Sequence, residues 1–244
     1  ERGTPPAQIL PGMGDEIGAL MCAWGVTAAL YAREKTGRGQ VVDTSLMGSV
    51  IAMLGLLMEA PAVLRQEFGR ELRATAGNPL YNHYRCKDDK WIVIAHLDPN
   101  RYWEKICKVT GVEELMDDPR FNSIEARGKN ARELVSIFDE RFALRTRDEW
   151  MSLLKEEDCI CTPIQSPLEV SNDPQALANN YFIDVQHPDW GKIKMVGFPW
   201  DFSDTPAQWT RKAPDFGEHS EEIMSEIGYT ADEIADLKKE DVIR

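Results

Sequence analysis

A mixed fold, α/β or α+β with helix in excess of strand, is what three features of this 244-residue chain predict. Two apolar stretches, Ile17 to Ala32 and Leu46 to Met58, are too long for strands and read as helices. Short runs rich in β-branched and aromatic residues, Tyr81 to Cys86, Trp91 to His96 and others between Tyr181 and Ser203, carry the strand signal. The tetrads Thr146-Arg147-Asp148-Glu149, Ser166-Pro167-Leu168-Glu169 and Thr230-Ala231-Asp232-Glu233 fit the capping box, in which a hydroxyl and a carboxylate satisfy the exposed amides of a helix start. The length suits one large domain or two small ones.

Taken in order, the first helix is expected over residues 16 to 35; apolar nearly all round, it should be buried on most sides. Thr36-Gly37-Arg38-Gly39 stops it with residues that accept left-handed backbone. Gln40 to Thr44 then reads as a short strand, followed by an apolar helix from about Leu46 to Ala60 that Pro61 closes. Residues 62 to 78, mixed and charged with Gly69 and Gly77, read as a linker. The polar turn Lys87-Asp88-Asp89-Lys90 joins the next two strands into a hairpin, and Asp98-Pro99 opens a helix with an acidic cap and proline at its first position.

Hydrophobic residues make up 43% of the chain, enough for a sizeable core, so disorder is excluded. With 41 acidic and 28 basic residues the formal charge is −13 and no basic stripe offsets it, which argues against nucleic acid as a partner. Neither apolar run reaches the roughly 20 residues that span a bilayer, so a soluble chain with no membrane partner is expected. The five cysteines, Cys22, Cys86, Cys107, Cys159 and Cys161, are odd in number and scattered, unlike a disulfide framework. Cys159-Ile160-Cys161 lacks a metal-ligand spacing and reads as a buried strand with inert thiols. His83, His96, His187 and His219 show no ligand spacing either, so no metal site is expected, and a reducing, cytoplasmic compartment is the default.

One segment stands apart. Pro11-Gly12-Met13-Gly14-Asp15-Glu16-Ile17-Gly18 places the Asp15 carboxylate at the mouth of the first helix, bordered by glycines that let a ligand approach the backbone. Such a carboxylate is either an ordinary helix cap or a shielded, oriented nucleophile. Position alone leaves both open.

Gly14-Asp15 with its helix, then Thr36-Gly37-Arg38-Gly39-Gln40-Val41-Val42-Asp43-Thr44-Ser45-Leu46, resembles the family III CoA-transferases of the CaiB/BaiF type, the superfamily of formyl-CoA transferase and alpha-methylacyl-CoA racemase. Gly77-Asn78-Pro79, Asp173-Pro174-Gln175-Ala176, Phe198-Pro199, Phe202-Ser203-Asp204-Thr205-Pro206, Ala213-Pro214, Gly217-Glu218-His219-Ser220 and Glu226-Ile227-Gly228-Tyr229 extend the resemblance along the whole chain. It implies an α/β fold of two domains, a Rossmann-like large domain and a small α+β domain, in an interlocked homodimer. Relatives of roughly 400 residues carry the aspartate well inside, so this chain resembles a C-terminal portion, with most CoA contacts upstream. On that basis residues 1–61 belong to the large domain with the nucleophile helix, 62–78 to a linker and loop, 79–170 to the small domain, and 171–244 to a return segment and C-terminal helices of the large domain.

The resemblance also implies the chemistry: Asp15 attacks an acyl-CoA thioester and becomes an aspartyl-CoA thioester, from which a carboxylic acid acceptor takes the CoA. CoA is then a substrate moiety and no prosthetic group is expected. A glycine-rich loop that closes over the intermediate maps onto Ala76-Gly77-Asn78, which holds one glycine where some relatives hold several. Asp98 lies near the position of a racemase glutamate, so an alpha-methylacyl-CoA racemase using an aspartate base is the alternative. A non-catalytic scaffold fragment is a third reading. His219 is expected to cap and dock, and the seven tryptophans to pack.

Overall fold

The computed structural model describes residues 11–67 and 72–244; Gly69 of the expected linker lies outside the described residues. The chain divides into two compact units, Glu1–Pro163 and Ile164–Arg244.

The first unit opens with two long helices packed on each other, α1 (Met13–Thr36) and α2 (Leu46–Leu64). Gly12 and Gly37 bracket α1 in left-handed conformations, φ 78° and 69°, and the Gly37 amide closes the end on the Arg33 carbonyl at 2.8 Å. A seam of glycines lets the partner in. Gly14 faces Val50, a Cβ on Gly18 would run into the Leu46 side chain, and one on Gly25 would lie 3.1 Å from Val42. Ser45 caps α2 by accepting from the Gly48 amide at 3.0 Å.

Four expectations for this region need correction. The first helix is not buried on most sides: Gly18 is its buried residue, while Leu20, Trp24 and Tyr31 are exposed, because a helix that is apolar all round has here one neighbour along one seam. Gln40 to Thr44 forms no strand; no described strand pairs with it, and Val42 leans on Gly25 instead. Pro61 does not end the second helix, which runs on to Leu64 with the proline inside and a break at Gly55 (φ 19°, ψ −96°). At 19 residues α2 is long and apolar enough to cross a membrane by length and composition, where the shorter apolar run Leu46 to Met58 is not.

A 3-10 turn at Arg73–Thr75 leads into the core of this unit: β1 (Tyr81–Arg85), β2 (Trp91–Ala95), α3 (Pro99–Thr110), a second 3-10 turn at Glu113–Leu115, α4 (Ile124–Lys129), α5 (Ala131–Phe142), α6 (Arg147–Glu156) and β3 (Cys161–Ile164). The strands lie in the order β1-β2-β3, with β1 and β2 antiparallel in the register Asn82↔Ile94 and Tyr84↔Ile92. Alternation sends Tyr84, Ile92 and Ile94 inward, where they meet Trp103 and Ile106 of α3, Leu134 and Phe138 of α5, and Trp150 and Leu154 of α6. Tyr84 stacks on Phe142 at 4.9 Å and donates its hydroxyl to the Pro79 carbonyl at 2.7 Å, so its polar end is satisfied. Thr146 makes the full capping box with Glu149 at the head of α6.

The second unit holds α7 (Pro167–Val170), α8 (Pro174–Ala178), the antiparallel pair β4 (Phe182–His187) and β5 (Gly191–Val196), α9 (Ser220–Glu226) and α10 (Ala231–Lys239). Ser166 and Thr230 form the capping boxes expected of them. His219 occupies the cap position of α9 without a side-chain cap bond, so it does not cap. The tryptophans divide: Trp103 and Trp150 pack inside the first unit, whereas Trp24, Trp190 and Trp200 are exposed.

Candidate active site

Asp15 is the third residue of α1, behind the left-handed Gly12. It is not a cap, because Gly12 holds that position and no side chain bonds the first amides. Nor is it shielded: its side chain is exposed and, among the described residues, accepts no hydrogen bond and enters no ion pair. The Glu16 amide, the next along the chain, donates to the Gly12 carbonyl at 3.0 Å. A carboxylate left open at a helix start is oriented by the helix while both oxygens remain available to an electrophile.

The second segment, Ala76-Gly77-Asn78, leads from the first 3-10 turn toward β1. It is held at three points. Ala76 is buried. Asn78 donates from Nδ2 to the His96 carbonyl at 2.8 Å and accepts the Leu80 amide at 3.0 Å. Gly77 passes close under α4, where a Cβ on Gly128 would lie 3.0 Å from its carbonyl oxygen. The neighbouring turn is tied down as well, by the ion pair of Arg73 with Asp139 at 2.5 Å and by Asn82, whose Nδ2 donates to the Arg73 carbonyl at 2.9 Å.

Asp98 stands where a helix cap stands, ahead of Pro99 at the first position of α3. The expected acidic cap is not formed, since its side chain makes no cap hydrogen bond (backbone φ −105°, ψ 81°) and is exposed. The proline supplies the helical start instead. The structure thus brings Asn78 to the end of β2, two residues before Asp98; among the described residues no hydrogen bond or ion pair joins Asp15 to either.

Three residues that sequence reasoning passed over surround these segments. His96 is fully buried, stacks on Tyr102 at 4.1 Å, and has no hydrogen-bond partner for either ring nitrogen among the described residues; burial pushes its pKa down to about 4. Arg127, equally buried, donates to the Phe121 carbonyl at 2.7 Å and to the Asn100 side chain, and lies 4.7 Å over the Trp103 ring. Gly128 lies within α4. A lone histidine in a strand and a glycine inside a helical pattern were the available signals.

The buried strand expected over Cys159-Ile160-Cys161 is not formed, because β3 starts only at Cys161 and alternates half-buried with exposed residues, and Ile160 before it is exposed. Cys159 is buried and Cys161 begins β3; burial pushes the Cys86 and Cys159 thiols up to about 11 and Cys107 to about 12, far from the thiolate form. All five cysteines are free. Among the described residues no group of three metal-ligating side chains converges.

A family model described as CoA-transferase family III matches residues 1–220 of this chain. The chain belongs to that family. Its curated relatives include an (R)-2-hydroxy-4-methylpentanoate CoA-transferase of Clostridioides difficile, 32% identical across 100% of this chain and 61% of the relative. A formyl-CoA:oxalate CoA-transferase of Escherichia coli is 30% identical over 98% of the chain and 62% of the relative. The family III chain therefore spans about three fifths of the length of the curated relatives it matches. A CaiB/BaiF family protein from Brucella suis superimposes with a TM-score of 0.82 at 25% identity, over 93% of this chain and 58% of that one.

Proposed function

We propose that the intact protein moves CoA from an acyl-CoA donor to a carboxylic acid acceptor with Asp15 as the nucleophile. The observation that carries this reading is the exposed Asp15 carboxylate, without a hydrogen bond or ion pair among the described residues, at the glycine-bordered start of α1 and inside the stretch matched by the family. An Asp15 oxygen attacks the thioester carbonyl, the C–S bond breaks, and a mixed anhydride forms as CoA thiolate leaves. The thiolate attacks the aspartyl carbonyl of that anhydride, making an aspartyl-CoA thioester and freeing the donor acid as carboxylate. An acceptor carboxylate attacks this thioester to give a second anhydride, and the thiolate takes its acyl group, restoring Asp15. Each step develops an oxyanion, and by the resemblance Ala76-Gly77-Asn78 is the segment proposed to face it. CoA enters as a substrate, and the rest of the protein supplies most of its binding surface, within the interlocked homodimer and two-domain layout implied by the family. Free thiols throughout suit a reducing cytoplasm.

Incubation with acyl-CoA and then hydroxylamine should convert Asp15 to its hydroxamate, detected by mass spectrometry of the peptide around α1. Asp15→Ala should lower transfer by roughly a thousandfold or more. Undiminished transfer by Asp15→Ala sinks the reading.

One observation favours a second reading. The Asp98 carboxylate is exposed and caps nothing, so it is available as the partner base of a racemase. Wash-in of deuterium at the alpha carbon of a 2-methylacyl-CoA without an acceptor acid, abolished in Asp98→Asn, would establish it over transfer.

A further inference from the structure

Four aromatic residues of the second unit gather in one place. Tyr181, Phe198, Trp200 and Trp209 line an open groove of about 840 Å³ along β4, within the size range of small-molecule sites. Backbone geometry builds its end. Asn180 turns the chain with left-handed backbone (φ 56°), which asparagine tolerates. The Tyr181 amide then donates to the Ala176 carbonyl at 3.0 Å, and the Tyr181 carbonyl accepts the Gly197 amide at 2.8 Å. A Cβ on Gly197 would lie 2.1 Å from the Asn180 carbonyl oxygen, so glycine alone lets the chain after β5 pass this close. Beyond Gly197 the chain carries Phe198 and Trp200 to the groove wall, where both rings stay exposed.

The charge of the groove is one-sided. No Lys, Arg or His lines it, whereas Asp184 and Asp201 do. Asp184 is committed to Lys192 across the β4–β5 pair, at 2.9 Å. Asp201 is exposed and, among the described residues, makes no hydrogen bond or ion pair. We propose that this groove binds an organic cation of the quaternary-ammonium class, seated against Trp200 and Trp209 with Asp201 as its counter-charge. The electron-rich faces of the rings and the free carboxylate both repel an anion. A neutral apolar ligand would cover the Asp201 carboxylate without giving it a partner, which costs free energy. A methylated ammonium meets both demands, since its charge is attracted to aromatic faces and to the carboxylate while its methyl groups fill apolar space. No step of the transfer reading depends on this site, so the two stand or fall separately.

The test titrates the intact protein by calorimetry with two probes at matched ionic strength: choline, and its neutral carbon isostere, in which a tert-butyl group replaces the trimethylammonium. Choline is expected to bind saturably, and the isostere at least about threefold more weakly. Trp200→Ala should weaken choline by about two- to thirtyfold, while Trp200→Phe, which keeps an aromatic face and guards against a folding defect, should retain most of the binding. Asp201→Asn should weaken choline and leave the isostere unchanged. Trp190→Ala, at the exposed tip of the β4–β5 turn outside the groove, should match the parent. Equal binding of the two probes overturns the proposal, because the groove is then merely apolar. So does the absence of saturable choline binding, which would mean that another part of the intact protein fills the groove. Choline binding that survives both Trp200→Ala and Asp201→Asn places the cation elsewhere and overturns it too.

Discussion

His96 offers the sharpest test of the packing around the candidate site. Its imidazole is fully buried against Tyr102, with centroids 4.1 Å apart and rings 12° from parallel, and no acceptor among the described residues meets either nitrogen. Desolvation lowers its pKa from 6.5 to about 4. The fold therefore prefers the neutral ring: its stabilisation is complete above the unfolded value near 6.5, erodes as pH falls below it, and stops eroding below about 4. The full shift is worth about 3 kcal/mol, most of which is lost between pH 7.5 and pH 4.5. His96→Phe keeps a flat ring to stack on Tyr102 and removes the titration. Urea unfolding at the two pH values should show the parent losing about 2–3 kcal/mol more than the variant. Carboxylates held below their usual range, such as Asp118 by Arg120 and Asp173 by Gln165, titrate in both proteins and cancel in the difference. Equal acid loss in parent and variant would refute the reasoning.

Gly18→Leu should force α1 away from Leu46 and cost about 1–3 kcal/mol, read as a lower urea midpoint, with tryptophan emission reporting through Trp24. Thr146→Ala removes the hydroxyl that accepts the Glu149 amide and should cost about 1 kcal/mol in a thermal melt. Arg73 and Asp139 make a two-pronged pair, 2.8 and 2.5 Å, that ties the first 3-10 turn to α5; both side chains are about a third exposed, so a double-mutant cycle with Arg73→Met and Asp139→Asn should give a coupling of only about 1 kcal/mol.

The parts of the fold legible in the sequence were those governed by short-range chemistry. All three capping boxes form, the Lys87 to Lys90 turn joins β1 to β2 with Asp89 in the left-handed region, and Gly37 ends α1. The errors came from long-range context. Gln40 to Thr44 has strand composition, but a strand exists only if another edge pairs with it. Apolar residues all round α1 report that cover is wanted, not where it comes from. Trp24, Tyr31, Leu56 and Leu57 stay exposed although their composition is that of a core.

The candidate site divides in the same way. The place of Asp15 at a helix start was legible because a carboxylate between glycines there is a local pattern; its role is the proposal of the resemblance. Its exposure was not legible, since that depends on what α1 packs against. The Ala76-Gly77-Asn78 segment is the more instructive case. One glycine where relatives hold several leaves fewer backbone states open, and the structure adds a side-chain clamp at Asn78 and a close approach under Gly128. A segment held at three points is a poor hinge and a good platform. Hydrogen-bond donors aimed in advance need no reorganisation as charge develops, which is where electrostatic catalysis has its largest effect. Under the proposed transfer reading an oxyanion develops at each of four acyl transfers, and a fixed backbone would serve every step, whereas a closing loop would have to reset between donor and acceptor. The features that make this platform rigid, a glycine inside a six-residue helix and a buried arginine under it, are invisible to motif spacing because each takes its meaning from a residue far away in the chain.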